Sequence, residues 1–266
     1  MICVLGDAHL DVVVRVSWPL AEETDTPAST ALTVGGQAAN VAAWVAALGG
    51  RARLIAARGT DSGAGLVAAE LAAVGVEIVG PVVPGRTGTV VSLSDGGQRR
   101  SMLTDRGVGT ELSRDALRDE WLVGCEWLHI PAYSFAREPV RGAALAAAAA
   151  AARHSARLSV DLSSTAMIEA FGPEEFRELI VSLRPDVVFG TEAEADLLGG
   201  ALQHRLVAKL GPHGVRVAGR HYRAVPVAAV DSTGAGDAFA AGYLVGGVEL
   251  GLQAAARAVA KMGAMP

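Results

Sequence analysis

Aromatic side chains are scarce in this sequence: Phe, Trp and Tyr together make up 5% of its 266 residues. Few rings are on hand to stack a flat nucleobase, and a ligand built of hydroxyls suits the composition better. Cysteine is scarcer still. The two present, Cys3 and Cys125, lie in short apolar runs that read as buried strands. They are expected to be packed thiols, outside catalysis and any disulfide, in a reducing, cytoplasmic compartment.

Basic charge is in deficit: 23 Lys and Arg stand against 28 Asp and Glu, a formal net charge of −5. Surfaces for nucleic acid or anionic lipid are built from clustered cations, so neither partner is expected. Long apolar runs are missing as well. The longest is an alanine tract between Arg141 and Arg153, too short and too weakly hydrophobic to span a bilayer. The chain opens on ICVLG with no basic stretch ahead of an apolar one, so no signal peptide is expected. No period of about 20–50 residues recurs, which excludes a solenoid.

What is present is apolar and regular. A content of 51% hydrophobic and 19% charged residues describes a packed globular chain, long enough for one α/β domain or two small ones. Strand-like runs at 2–5, 53–56, 127–130, 158–160 and 187–189 alternate mostly with helix-like stretches such as 37–48, 65–74 and 142–153. That alternation predicts a parallel sheet covered on both faces. The alanine tract reads as a helix, tightly packed or at the surface, without a site. Two segments break the pattern: 11–15 with 31–34, and 87–94 with 98–103, read as short strands joined by polar or glycine-containing turns. They form either a small lid or ordinary edge strands.

The stretch DSTGAGDAF, residues 231–239, follows a hydrophobic run and leads into a helix-like one. In open parallel sheets ligands bind beyond the carboxyl ends of strands, where the next helix aims free N–H groups and its positive end outward. Gly234, Ala235 and Gly236 let a backbone approach a phosphate closely and donate to it. Asp237 then needs a reason, because a carboxylate repels a merely bound anion. One reason is a base that takes the proton of an attacking hydroxyl during phosphoryl transfer; the other is a helix cap, which leaves the glycines unexplained.

DSTGAGDAF resembles the C-terminal signature of the ribokinase, or PfkB, family of carbohydrate and nucleoside kinases, and GGQAAN at 35–40 resembles its N-terminal glycine signature. The likeness runs along nearly the whole chain, in order through GDAHLD, GGQAAN, RGTDSGAG, TGTVV, TEAEADLLGG, KLGPHG and DSTGAGDAF. It implies a ribokinase-like α/β fold over 1–266, mostly a parallel sheet covered by helices on both faces, with a small β lid from about 11–35 and 86–107. It implies a kinase that moves the γ-phosphate of ATP to a hydroxyl of a small carbohydrate with Mg²⁺. A monovalent cation such as K⁺ and a homodimer through the lid are further features of the resemblance.

By position, Asp237 matches the family's catalytic base, and the amides of Gly234, Ala235 and Gly236 match its anion hole. Asp11 matches a clamp on sugar hydroxyls, completed by Gly36 and Asn40. From the residues alone, a solvated edge-strand charge at Asp11 and a cap for the helix 41–48 at Asn40 come ahead of those roles. His9 either lines the same pocket or is structural. TEAEADLLGG resembles an N-x-x-E motif: Glu194 takes the place of the acid that organises Mg²⁺, while Thr191 stands where asparagine is usual. Glu192 reads as an exposed charge at a helix start. KLGPHG resembles the nucleotide loop, with Gly211 and Gly214 allowing close approach; Lys209 replaces a hydroxyl residue and either pairs with ATP phosphates or is a surface charge. Arg106 either contacts an anionic substrate group or water. The sequence departs from the family in a shorter stretch between Gly200 and Lys209 and in an end at AVAKMGAMP, short of a full final segment. The rival readings are a nucleoside kinase of the same family and a non-catalytic sugar or nucleotide sensor, the latter disfavoured by Asp237.

Overall fold

A computed structural model describes residues 1–95, 100–200 and 202–266. The chain runs β1 (Ile2–Leu5), β2 (His9–Val16), β3 (Ala28–Gly35), α1 (Gln37–Ala47), β4 (Ala52–Ile55), α2 (Ser62–Ala73), β5 (Val76–Val79), β6 (Thr87–Ser94), β7 (Arg100–Gly107) and β8 (Trp127–Pro131). It continues with α3 (Val140–Arg153), β9 (Arg157–Asp161), α4 (Thr165–Phe171), α5 (Pro173–Leu183), β10 (Val187–Thr191), α6 (Glu192–Leu197), β11 (Leu206–Lys209), β12 (Val215–Val217), β13 (Arg220–Tyr222), α7 (Ala235–Gly246) and α8 (Val248–Val259).

A nine-stranded sheet carries the order β13-β12-β11-β10-β9-β8-β1-β4-β5. From β11 through β5 every pairing is parallel; β12 and β13 extend one edge antiparallel. Successive side chains of a strand point to opposite faces, and β1 shows what that does here. Ile2 and Val4 pack into a core with α1, α7 and α8, whereas Cys3 and Leu5 pack into a second core with α3 and α5. Both faces are apolar because both are covered, as the sequence pattern predicts.

The alanine tract forms most of α3, and its Ala143, Ala144, Ala147, Ala150 and Ala151 are buried. Methyl side chains let this helix lie close to the sheet, while Arg153 at its end reaches Asp119 at the surface. Cys3 lies in β1 and Cys125 just before β8 rather than inside a strand; both are buried and free.

The two segments that break the alternation assemble into a separate four-stranded sheet, β3-β2-β6-β7. Within it β2 pairs antiparallel with β3 and β6 with β7, and a parallel β2–β6 pairing joins them. The start of the strand expected at 98–103 lies outside the described residues. This small sheet is the lid expected of the fold. Leu32 and Leu103, in one register row through Val12 and Val91, lie on one of its faces and Met102 on the other, exposed by 54%, 55% and 53%.

Candidate active site

The parallel strands end along one edge. There β9 finishes at Asp161, in register with Pro131 of β8 and Phe189 of β10, and Thr191 lies in register with Lys209. Beyond β1 the chain turns at Gly6 and Asp7, and the β3–α1 turn rests on it, Ala39 donating to the Asp7 carbonyl at 3.3 Å. Gly36 makes that turn at φ 105°, where a Cβ would stand 2.6 Å from the Asp7 carbonyl oxygen.

The N-terminus of α7 faces this edge. Gly234 caps it in the left-handed region, φ 74°, and a Cβ there would meet Ala264 at 2.6 Å. The Ala235 N–H donates to the Ser232 carbonyl at 3.3 Å. Of the three amides expected in the anion hole, those of Gly234 and Gly236 are thus left without an acceptor among the described residues, while that of Ala235 is used in closing the turn. A Cβ on Gly236 would lie 3.3 Å from Lys209 Nζ, which places the ammonium against the first turn.

Asp237, in that turn, does not cap the helix. Its Oδ2 accepts from Asn40 Nδ2 at 2.8 Å, and Asn40 sits inside α1 rather than at its cap. Part of Asp237 faces the cleft, but the carboxyl is ringed by protein. Burial pushes it up to about 7, with Asp161 and Asp7 adding to the rise and the Asn40 hydrogen bond and Lys209 opposing it. Asn40 Oδ1 is buried with no hydrogen-bond partner among the described residues. An unpartnered acceptor beside a carboxyl of this kind suits a bound hydroxyl.

Asp11 is no edge-strand charge. Its strand β2 lies inside the small sheet and its side chain is 15% exposed. The carboxylate rests over Gly35, where a Cβ would come within 2.2 Å of Oδ2. His9 Nε2 stands 3.0 Å from Asp11 Oδ1, and His9 Nδ1 stands 3.5 Å from Asp7 Oδ2. Burial works to lower the imidazole, yet hydrogen bonds to Asp11 and Asp7 win and raise it to about 9. Burial likewise works to raise Asp7, but His9 and then Arg106 hold it at about 2. Arg106 donates directly to Asp7 and lies over the Tyr133 ring. The result is one chain of alternating charge, Arg106, Asp7, His9, Asp11.

Lys209 is not a solvated charge. Its Nζ bonds both oxygens of Asp161, at 3.0 and 2.8 Å, and Asp161 is fully buried. Burial disfavours the ammonium, but Asp161, with Glu194 and Asp237 behind it, raises it above the ordinary value. Thr191 and Glu194 form a reciprocal capping box on α6: Thr191 Oγ1 accepts from the Glu194 N–H at 3.2 Å and Glu194 Oε2 from the Thr191 N–H at 2.8 Å. Glu192 is exposed, as expected, and pairs with Arg216. Gly211 and Gly214 lie in the turn after β11, beside an open groove lined by Glu192, Lys209, His213, Arg216 and His221.

Among the described residues no cluster of three or more His, Cys, Asp or Glu is arranged to hold a metal. Mg²⁺ keeps much of its water and is commonly bound through substrate phosphates. The donor set fits a hydrated ion carried by a nucleotide, for which Glu194 is the acid that would meet its waters. Sequence reasoning passed over Asp7 and Asp161. Asp161 is within reach of such reasoning, since it ends an apolar strand at the edge where ligands bind; Asp7 lies within GDAHLD, where nothing local sets it apart from Asp11.

Residues 1–265 match the model of the pfkB family carbohydrate kinases. A fructokinase of Escherichia coli is 31% identical over 273 aligned positions, spanning 94% of this chain and 85% of that protein. The crystal structure of adenosine kinase from Sinorhizobium meliloti superposes with TM-score 0.87 at 25% identity, covering 100% of this chain and 95% of that one. A putative Ribokinase II from E. coli superposes with TM-score 0.86 at 22% identity over 99% and 94%, a likeness of fold.

Proposed function

The chain belongs to the pfkB family of carbohydrate kinases, and from that premise we propose that Asp237 removes the proton from an acceptor sugar hydroxyl as it attacks the γ-phosphorus of ATP. The hydroxyl oxygen forms the new P–O bond, the bond from the γ-phosphorus to the β-bridging oxygen breaks, and ADP leaves with that electron pair. The proton passes to the Asp237 carboxylate. The observation that carries the reading is the joining of a carboxyl raised to about 7 with the amides of Gly234 and Gly236, which have no acceptor among the described residues, in one helix turn. A base near neutrality and donors for developing charge are what the step requires.

In this reading Asn40, with Oδ1 unpartnered, orients the reacting hydroxyl, and Asp11 holds neighbouring hydroxyls from across the lid sheet. Gly36 shapes that pocket, and His9 keeps the Asp11 carboxylate in place. Lys209 neutralises charge on the transferred group beside Gly236, and the groove past Gly211 and Gly214 takes the rest of the nucleotide. Glu194, fixed by Thr191, would order the water shell of a bound Mg²⁺, which would supply neutralising charge to the phosphates. Closure of the small sheet over the sugar excludes water as a competing acceptor. Activation by K⁺, a homodimer packed through the lid, and a reducing cytoplasmic setting suited to free thiols complete the proposal.

A nucleoside acceptor is the second reading, favoured by the likeness to the adenosine kinase structure. ADP release measured against pentoses, hexoses, sugar acids, sugar phosphates and nucleosides decides between them. Turnover with sugars that disappears in Asp237→Asn supports the proposal, and turnover confined to nucleosides replaces it.

A further inference from the structure

We propose that the acceptor site continues into an anion-binding subsite, so that the sugar phosphorylated here carries a phosphate or carboxylate group. The inference rests on the kinase reading above. A cavity of about 290 Å³ opens beside Asp7, lined among others by Arg106, Thr110, Tyr133, Arg137 and Phe171. Arg106 forms one wall. Its guanidinium is pinned by Asp7 and stacked 4.5 Å from the Tyr133 centroid, and 26% of its side chain is exposed. The same Asp7 leads through His9 to Asp11, so the cavity and the hydroxyl clamp share one charged relay.

Arg137 stands at the mouth, where the cavity meets an outer groove formed with Thr104, Asp105 and Thr110. It is exposed, and although its backbone carbonyl accepts from the Arg141 N–H, its guanidinium has no hydrogen bond or ion pair among the described residues. The nearby carboxylates are committed elsewhere: Asp7 to His9 and Arg106, Asp105 to Arg86 and the Gly107 N–H, Glu138 to the Gly142 N–H. Arg141, behind the floor, spends its donors on the Phe135 and Ala136 carbonyls. The guanidinium of Arg137 is therefore left without a counter-anion beside a cavity that already holds Arg106. A neutral polyol has no use for that excess. A phosphate or carboxylate accepts from a planar guanidinium through two oxygens at once, and Thr110, which lines both the cavity and the groove, carries a further hydroxyl donor.

The test compares neutral pentoses and hexoses with their phosphomonoesters and with the corresponding sugar acids. ADP release and ATP-free melting shifts are read in the wild type, Arg137→Gln and Arg137→Lys. One anionic arm is expected to exceed its neutral parent in kcat/KM, and which arm does so identifies the group. Arg137→Gln should cut that preference by about 10–100-fold, the usual cost of losing a charge-assisted hydrogen bond, with Arg137→Lys recovering part of it. Neutral sugars used as well as anionic ones, or a preference that Arg137→Gln leaves intact, overturns the subsite while the kinase reading stands. Anionic sugars that raise the melting temperature through Arg137 without any ADP release keep the subsite and overturn the kinase reading. Neither shift nor turnover overturns both.

Discussion

Asn40 and Asp237, 197 positions apart in the chain, meet at 2.8 Å between Nδ2 and Oδ2. Through this bond the helix after the lid strands and the helix after the glycine motif bring one acceptor, Asn40 Oδ1, and one base to the same point. The pairing opposes the rise of the Asp237 carboxyl, but burial is the larger effect and leaves it near 7.

A base must be ionised to act, so kcat/KM is expected to rise with pH through about 7 and then level. Asp237→Asn should lower kcat by about 10²–10⁴-fold with ATP affinity retained. A wild-type profile flat between about pH 6 and 8, or a variant that keeps its kcat, removes Asp237 from proton transfer.

The same shift has a cost in stability. Because the folded carboxyl holds its proton up to about 7 against an ordinary value of 3.8, its contribution is best at low pH and is lost as pH rises through 7. His9, raised to about 9, stays charged over most of that window. Asp237→Asn is therefore expected to be more stable than the wild type near pH 8, by about 1–3 kcal/mol, and no more stable near pH 4. Thermal melts at the two pH values check the sign; a variant that is equally or less stable at pH 8 refutes it.

Gly35 has no side chain where the Asp11 carboxylate lies, and a Cβ would come within 2.2 Å of it. Gly35→Ala should displace that carboxylate and raise the sugar KM by about 10-fold or more while the ATP KM changes little. Isothermal titration with each ligand separates the two, and equal loss for both would point to a general disturbance of the fold.

Lys209→Met strips the fully buried Asp161 of its partner and should destabilise the protein by about 3–5 kcal/mol. Adding Asp161→Asn should restore most of the stability. Turnover should remain low in the double variant, because the ammonium beside Gly236 is still missing. Full recovery of turnover would reduce Lys209 to a counter-ion for Asp161.

Thr191→Asn and Glu194→Gln both preserve a capping box on α6, so folding should be little affected. The Mg²⁺ concentration for half-maximal activity is expected to fall in Thr191→Asn, which supplies an amide to the water shell, and to rise in Glu194→Gln, which removes charge. Unmoved midpoints in both variants would detach this segment from the metal.

The central strands β1, β4, β8, β9 and β10 were legible in the chain, because a sheet covered on both faces spells them as short apolar runs between helices, whereas β5, β11, β12 and β13 at its edges carry no such run and were not. The motif around Asp237 was legible for a similar reason: glycines beside a carboxylate at a helix start have few other uses. Local pattern says nothing, however, about what a side chain meets across the fold. Sequence alone left Lys209 between a phosphate ligand and a surface charge, and Asn40 between a cap and a pocket residue. Asp161, on β9 with β10 between it and the strand of Lys209, and Asp237, on a distant helix, decide where those side chains point. Charge state is likewise a property of the assembly. Asp7, His9 and Asp237 depart from their ordinary values because tertiary packing removes water from them and sets their neighbours. The sequence determined which groups are available and the strand ends that carry them, while only the closing of α1, α7 and the small sheet around one edge decided which of them share a proton, a charge or a ligand.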